Sequence, residues 1–409
     1  MATERQASQT TKELSESLRA RGVVGVLFFL FFLGVGDAQL ISPMLPLIAK
    51  EFGVPIGAVG KLIGAVYAVA AAAAALLVGP LSDRYGRRRF LEIAVVVFMT
   101  SLLLVGLTSN LRLFSVLRIF TGFAAGIFST CAIAFVGDSF SYEKRGAAMS
   151  AVQTGYFAAF IIAVPLGAVL ADKLGWRAAF VGFGLLAAPV FFFIRFLLPD
   201  DGRPGAVPKV SSQLSGSTAL LSRPTVAAVG SAFLVSLGFV GFIQYLGSWL
   251  AEPDGFALTI KEVGLIFISI GMAALVGSAA AIYLADKIGK RKLSIASTVL
   301  LAVMLLVIPR TGLNPVLFVF FGVASFTFAL RQGPLQALAT ELAAKTKRGA
   351  LVAMRNTASQ IGIALAAIIC GQLYDLYGYA AVGLFSAIAT AFAALCIMIM
   401  REPVPVLKR

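Results

Sequence analysis

Four ionisable residues stand deep inside apolar stretches long enough to cross a bilayer: Asp37, Arg118, Arg331 and Arg355. A charge at mid-membrane costs at least ~2.5–3.5 kcal/mol and marks function by default. Asp37 is the carboxylate nearest the middle of such a stretch. Burial disfavours its charged form and a nearby arginine favours it, so Asp37 has the chemistry to exchange a proton as its surroundings open to each side in turn. The remaining balance of three arginines to one aspartate favours an anionic or phosphate-bearing solute, because a guanidinium offers such groups a planar fork. Polar side chains able to orient a solute accompany these charges: Gln39, Gln153, Gln244, Tyr245, Gln332, Gln336, Asn356 and Gln360. For each of them, hydrogen bonding between helices is the alternative reading. For the four charges, the alternative is mutual pairing that only locks helices together.

Other chemistries find no residues. The chain has no histidine, which removes histidine-based metal sites and triads. Its cysteines, Cys131, Cys370 and Cys396, lie inside apolar stretches without metal-ligand spacing, and buried thiols behave as small apolar groups. No G-x-x-x-x-G-K-[ST] phosphate loop is present, so nothing points to an ATP-driven pump. No nucleophile–base set suggests an enzyme, and no cofactor is implied; the expected driving force is a proton gradient.

The elements that must hold these residues are set by composition. Of 409 residues, 59% are hydrophobic and 13% charged, against about a quarter charged in soluble domains. The apolar runs, such as Leu62–Leu77, do not alternate with polar residues, which excludes a β-barrel. Twelve spans are predicted, the first at about 23–48 and the last at about 379–400. The net charge of +15 could suggest nucleic acid. However, Lys and Arg concentrate in the segments on the N-terminal side of the membrane, so the positive-inside rule accounts for them. The expected setting is the inner (plasma) membrane with both termini cytoplasmic, the lipid bilayer as partner, and no nucleic acid. The polar residues 1–22 lack a cleavage site, and the first span is expected to act as an uncleaved signal.

The halves repeat. Adding 203 to the residue number takes Asp83 to Asp286, Gly86 to Gly289, Arg87 to Lys290, Asp138 to Glu341, Asp172 to Asp375 and Gly175 to Gly378. Arg145–Gly146 maps likewise onto Arg348–Gly349. One shift without gaps implies two parallel copies of a six-helix unit, residues 1–199 and 224–409, joined by a polar cytoplasmic linker at 200–223. Such repeats place a solute site between the halves and work by rocking one against the other. The same shift pairs Asp37, Arg118, Arg331 and Arg355 with Val240, Phe321, Phe128 and Val152. The scaffold therefore does not need these charges. A functional monomer fits two halves enclosing one site.

Gly79-Pro80-Leu81-Ser82-Asp83-Arg84-Tyr85-Gly86-Arg87-Arg88-Arg89 resembles the signature loop of the major facilitator superfamily, with a weaker copy at Asp286–Lys292. Arg118-Ile119-Phe120-Thr121-Gly122 resembles that family's R-x-x-x-G element, and Gly175-Trp176-Arg177 is also typical. The resemblance spans the chain and implies an all-α membrane fold of twelve helices in two parallel six-helix repeats. Asp37 with Pro43-Met44-Leu45-Pro46 is similar to the drug–proton antiporter branch, whereas Val164-Pro165-Leu166-Gly167-Ala168-Val169 departs from that branch's G-P-x-x-G-G run.

The signature loop suggests a conformational latch formed by Gly79, Asp83, Gly86, Arg87 and Asp138, echoed by Asp286, Gly289 and Glu341. In this reading Asp83 faces the positive end of a neighbouring helix and Arg87 pairs with Asp138, in contacts that hold the outward-facing state. The expected function is proton-coupled efflux of a small amphipathic organic compound by alternating access. The alternative is a carrier for organic anions or lipid-like phosphates.

Overall fold

The structure, a computed structural model, describes the backbone of residues 2–140, 142–199, 222–253, 255–342 and 348–400. Side chains are described within these stretches except at 2–19, Pro80, Asp83, 142–147, Thr340 and 348–350. Most of the linker reading at 200–223 thus lies outside the described residues, as do the side chains of the Arg145 and Arg348 pairs.

Among the described residues, twelve helices long and apolar enough to cross a membrane follow in order. In the first half these are α1 (Ala20–Phe52), α2 (Ile56–Gly79), α3 (Arg87–Leu107), α4 (Leu111–Ser139), α5 (Ala148–Leu174) and α6 (Trp176–Leu197). The second half has α7 (Arg223–Leu250), α8 (Ile260–Ile288), α9 (Lys290–Arg310), α10 (Pro315–Ala339), α11 (Leu351–Tyr377) and α12 (Tyr379–Ile399). Helices answer the apolar runs because each satisfies its own backbone hydrogen bonds, which lipid cannot do. The outward faces stay apolar, with Phe196 79% and Ile282 73% exposed.

The repeat survives in three dimensions. Gly86 and Gly289 turn the chain with φ of 97° and 94°, and Gly175 and Gly378 with 85° and 72°; this left-handed backbone favours glycine. Arg87 pairs with Asp138, and Lys290 Nζ lies 2.5 Å from Glu341. Arg88 donates to the Arg195 carbonyl, and Arg291 donates to that of Met398. Each of these pairs is related by the same shift of 203.

Small residues bring helices close within a half. A Cβ at Gly122 would fall 2.3 Å from the Tyr67 carbonyl oxygen, and one at Gly126 would fall 2.5 Å from that of Ala71. The alanine run Ala70–Ala75 is therefore a packing face for α4. Between the halves, contacts gather toward the face opposite the basic loops. Ser42 Oγ donates to the Ile243 carbonyl (2.7 Å) and accepts from Gly247 N (3.2 Å), joining α1 to α7. Gly57 N donates to Asp375 (2.8 Å), joining α2 to α11. Gly264 meets Pro165 and Ala168, joining α8 to α5. Toward the basic face, by contrast, Gln153, Gln332 and Gln336 are exposed within their spans. The contacts that join the halves here stand on one face, and exposed polar side chains stand toward the other.

Candidate functional site

A cavity of about 190 Å³ lies at the seam between the halves. Its polar lining comes from Gln39 of α1, Tyr67 of α2, Arg118 and Ser129 of α4, Tyr156 of α5, Gln244 of α7 and Gln360 of α11. Leu30, Phe31, Phe128, Val240 and Ile363 supply apolar walls. Three helices bordering it carry a widened π-turn: Gly60–Ala65, Ala159–Ala163 and Ser236–Val240. Such turns re-aim side chains and recur at functional sites.

Arg118 is the cavity's charged wall, and Asp37 stands behind it. Nη1 of Arg118 lies 2.7 Å from both carboxylate oxygens of Asp37, and both residues are 0% exposed. The Arg118 guanidinium sits 4.4 Å from the Tyr67 ring centroid, and Tyr67 in turn donates to the Gly34 carbonyl at 2.9 Å. Pairing and aromatic contact replace the water both charges lost. Nη2 of Arg118 has no hydrogen-bond partner among the described residues.

A second charged layer lies nearer the basic face. Arg331 is 1% exposed, and its guanidinium sits 4.9 Å from the Phe328 ring centroid. That ring stacks on Phe239 and on Tyr156 of the cavity wall. Arg355, within the first two turns of α11, donates through Nη1 to Gln336 at 2.6 Å. That bond ties Arg355 to α10, the helix that also carries Arg331.

The predicted residues therefore sort into two groups and an outlier. Gln39, Arg118, Gln244 and Gln360 share the cavity, with Asp37 behind Arg118. Arg331, Gln332, Gln336, Arg355, Asn356 and Gln153 lie toward the basic face. Tyr245 joins neither group: it is 0% exposed, donates to the Ala367 carbonyl at 2.7 Å and packs under Gly60. Its hydroxyl is engaged in the seal because α7 and α2 approach closely there, so it does not line the cavity.

Of the latch residues, Arg87 pairs with Asp138 and Lys290 with Glu341, but each pair lies inside one half and braces it. Neither pair crosses the seam, and Arg87–Asp138 forms here while the seal stands on the opposite face. Gly86 and Gly289 make the turns, Gly79 is half-buried and Asp286 is exposed. The Asp83 side chain is outside those described. Sequence reasoning missed Tyr67, Tyr156, Ser42 and Asp375. Tyrosines inside spans were the available signal for the first two. Ser42 and Asp375 depend on which helices cross the seam, which no local pattern reveals.

Comparison with known proteins is consistent with this geometry. The profile of the Major Facilitator Superfamily matches residues 27–260 and 253–409. An uncharacterized MFS-type transporter, YwfA of Bacillus subtilis, is 28% identical over 368 residues, covering 88% of this chain and 87% of that protein. A probable 4-methylmuconolactone transporter of Cupriavidus pinatubonensis is 26% identical over 379 residues, covering 90% and 87%. Among solved structures, a bacterial homolog of the human lysosomal transporter Spinster, in an inward-facing and unoccupied conformation, superposes with a TM-score of 0.70. It shares 15% identity and covers 93% of this chain and 98% of that one.

Proposed function

This chain belongs to the major facilitator superfamily, and from that premise we propose that it is a proton-coupled exporter of a small amphipathic organic compound. The chain is a membrane transporter with a small-molecule solute, not an enzyme. The observation that carries the proton-coupled reading is the Asp37–Arg118 pair, fully buried, with its arginine on the wall of the cavity between the halves. Protonating Asp37 frees Arg118 and changes the cavity wall, and a solute that fits only the paired wall disfavours the proton in turn, so the two exclude each other as exchange requires. Each event alters the wall that the other faces, which is the differential contact coupling requires.

The positive-inside distribution supports placing the basic face in the cytoplasm, so this conformation is read as inward-facing and the chain as an inner-membrane monomer. The solute enters from the polar-lined side, contacts the cavity, and leaves after the halves rock and the opposite seal parts.

Uptake into everted vesicles under an imposed ΔpH tests the coupling. With Asp37→Asn, accumulation driven by ΔpH is expected to vanish while downhill exchange of the same solute persists. Full ΔpH-driven accumulation by Asp37→Asn would refute the assignment.

A further inference from the structure

Among the described residues, Arg331 holds a buried charge without an answering one. It is 1% exposed, and its Nε and Nη2 have no hydrogen-bond partner among the described residues. Arg355, 7% exposed, has an unpartnered Nε and gives Nη1 to the neutral Gln336. An unpaired buried cation is strongly unfavourable, and here the neighbouring helices α10 and α11 each carry one. The scaffold does not need them: at the positions related by the shift of 203, the first half carries Phe128 and Val152, 1% and 0% exposed. The contrast with Arg118, which has its own aspartate, is within the same molecule.

An anion resolves the imbalance. Resting on the carrier reading above, we propose that Arg331 and Arg355 form an anion subsite that takes the carboxylate, sulfonate or phosphate head of an amphipathic organic solute. The guanidinium forks accept the head, since their free N–H groups match such oxygens. The solute's body lies along Phe328 and Tyr156, and Tyr156 links this subsite to the apolar cavity above. The shared chemistry is an anionic head on an apolar body, whether it arrives as a free solute or as a phospholipid headgroup.

Binding to the full chain in nanodiscs of phosphatidylcholine tests this. The probes are phenylphosphonate, benzylammonium and benzamide, which share a ring and differ in charge. Phenylphosphonate is expected to bind and raise the unfolding temperature, with the other two at least tenfold weaker. Arg331→Gln and Arg355→Gln are each expected to weaken phenylphosphonate at least tenfold, and Arg331→Lys less so, because it keeps the charge and loses the fork. If one variant fails to fold, the other variant and the wild type's preference among the three probes still decide.

Adding phosphatidylglycerol to the nanodiscs separates the sources. A lipid headgroup occupant raises wild-type stability, competes with phenylphosphonate and has no effect on Arg331→Gln; a free solute's site is indifferent to the lipid. Either result supports the subsite. Preference for benzylammonium, absence of phenylphosphonate binding, or undiminished binding by both glutamine variants overturns it. The proton-coupling reading fails separately: it stands or falls on the ΔpH response of Asp37→Asn, whereas the subsite stands or falls on the probe preference of the wild type and on the two glutamine variants.

Discussion

Removing either partner of the Asp37–Arg118 pair should cost far more than removing both. The carboxylate oxygens lie 2.7 Å from Nη1, with both residues 0% exposed. At an effective dielectric of ~20, unit charges ~4 Å apart attract by ~4 kcal/mol. Each charge loses several kcal/mol of hydration on burial, so the intact pair is near break-even while a lone survivor costs about 3–5 kcal/mol. The survivors are not equivalent. Arg118 lines the cavity and can recruit solvent there, whereas Asp37 lies behind it. Arg118→Gln should therefore destabilise more than Asp37→Asn. The double variant should be more stable than Arg118→Gln alone, because its amides carry no net charge. Unfolding of the four proteins in one lipid environment gives the complete cycle. Strict additivity, with the double variant as unstable as the sum of the singles, would show that the charges do not sustain each other and would refute the argument.

Three further outcomes follow from the seal and the packing. Asp375→Ala removes the acceptor for Gly57 N, at the start of a helix whose Pro55 N-cap offers no side-chain cap. Losing a cap costs about 1 kcal/mol, so the equilibrium should move roughly fivefold toward opening of that face, read as faster alkylation of a cysteine placed at Ser248. Gly247→Ala puts a Cβ 2.5 Å from the Ser42 carbonyl oxygen across the seam; it should shift the same alkylation rate with little loss of unfolding temperature. Gly122→Ala makes an equally close approach to Tyr67, but inside one half. It should lower stability by ~1–3 kcal/mol and leave conformational preference alone; a large alkylation shift would contradict that division.

What the sequence made legible was whatever a helix or a repeat writes locally. Span positions followed from hydropathy, and the shift of 203 aligned the glycines and charged residues that the structure places in equivalent turns and pairs. The buried charges were recognisable because apolar residues stand at their repeat positions. The partners of those charges were not. Asp37 and Arg118 are 81 residues apart, and only the packing of α1 against α4 makes them a pair. Tyr245 read as a solute ligand because a span tyrosine is polar. Its burial under Gly60 depends on where α2 meets α7, and that is decided by the crossing of two halves whose sequences do not specify each other.

Duplication explains why the charges are informative at all. Two copies of one unit inherit the same turns, the same arginine-to-carbonyl contacts and the same braces, as Arg88–Arg195 and Arg291–Met398 show. Any feature the fold requires is therefore expected twice. The buried charges occur once each, and they differ in kind. The first half neutralises its arginine with an aspartate, a pair that a proton can unmake. Among the described residues, the second half leaves two guanidinium groups without a carboxylate, which the proposed subsite answers with a negative charge from elsewhere. On the readings proposed above, this divergence gives the two tasks of an alternating-access carrier, the response to its driving ion and the hold on its solute, to different halves. The rocking of one half on the other is then the step at which the two tasks become coupled.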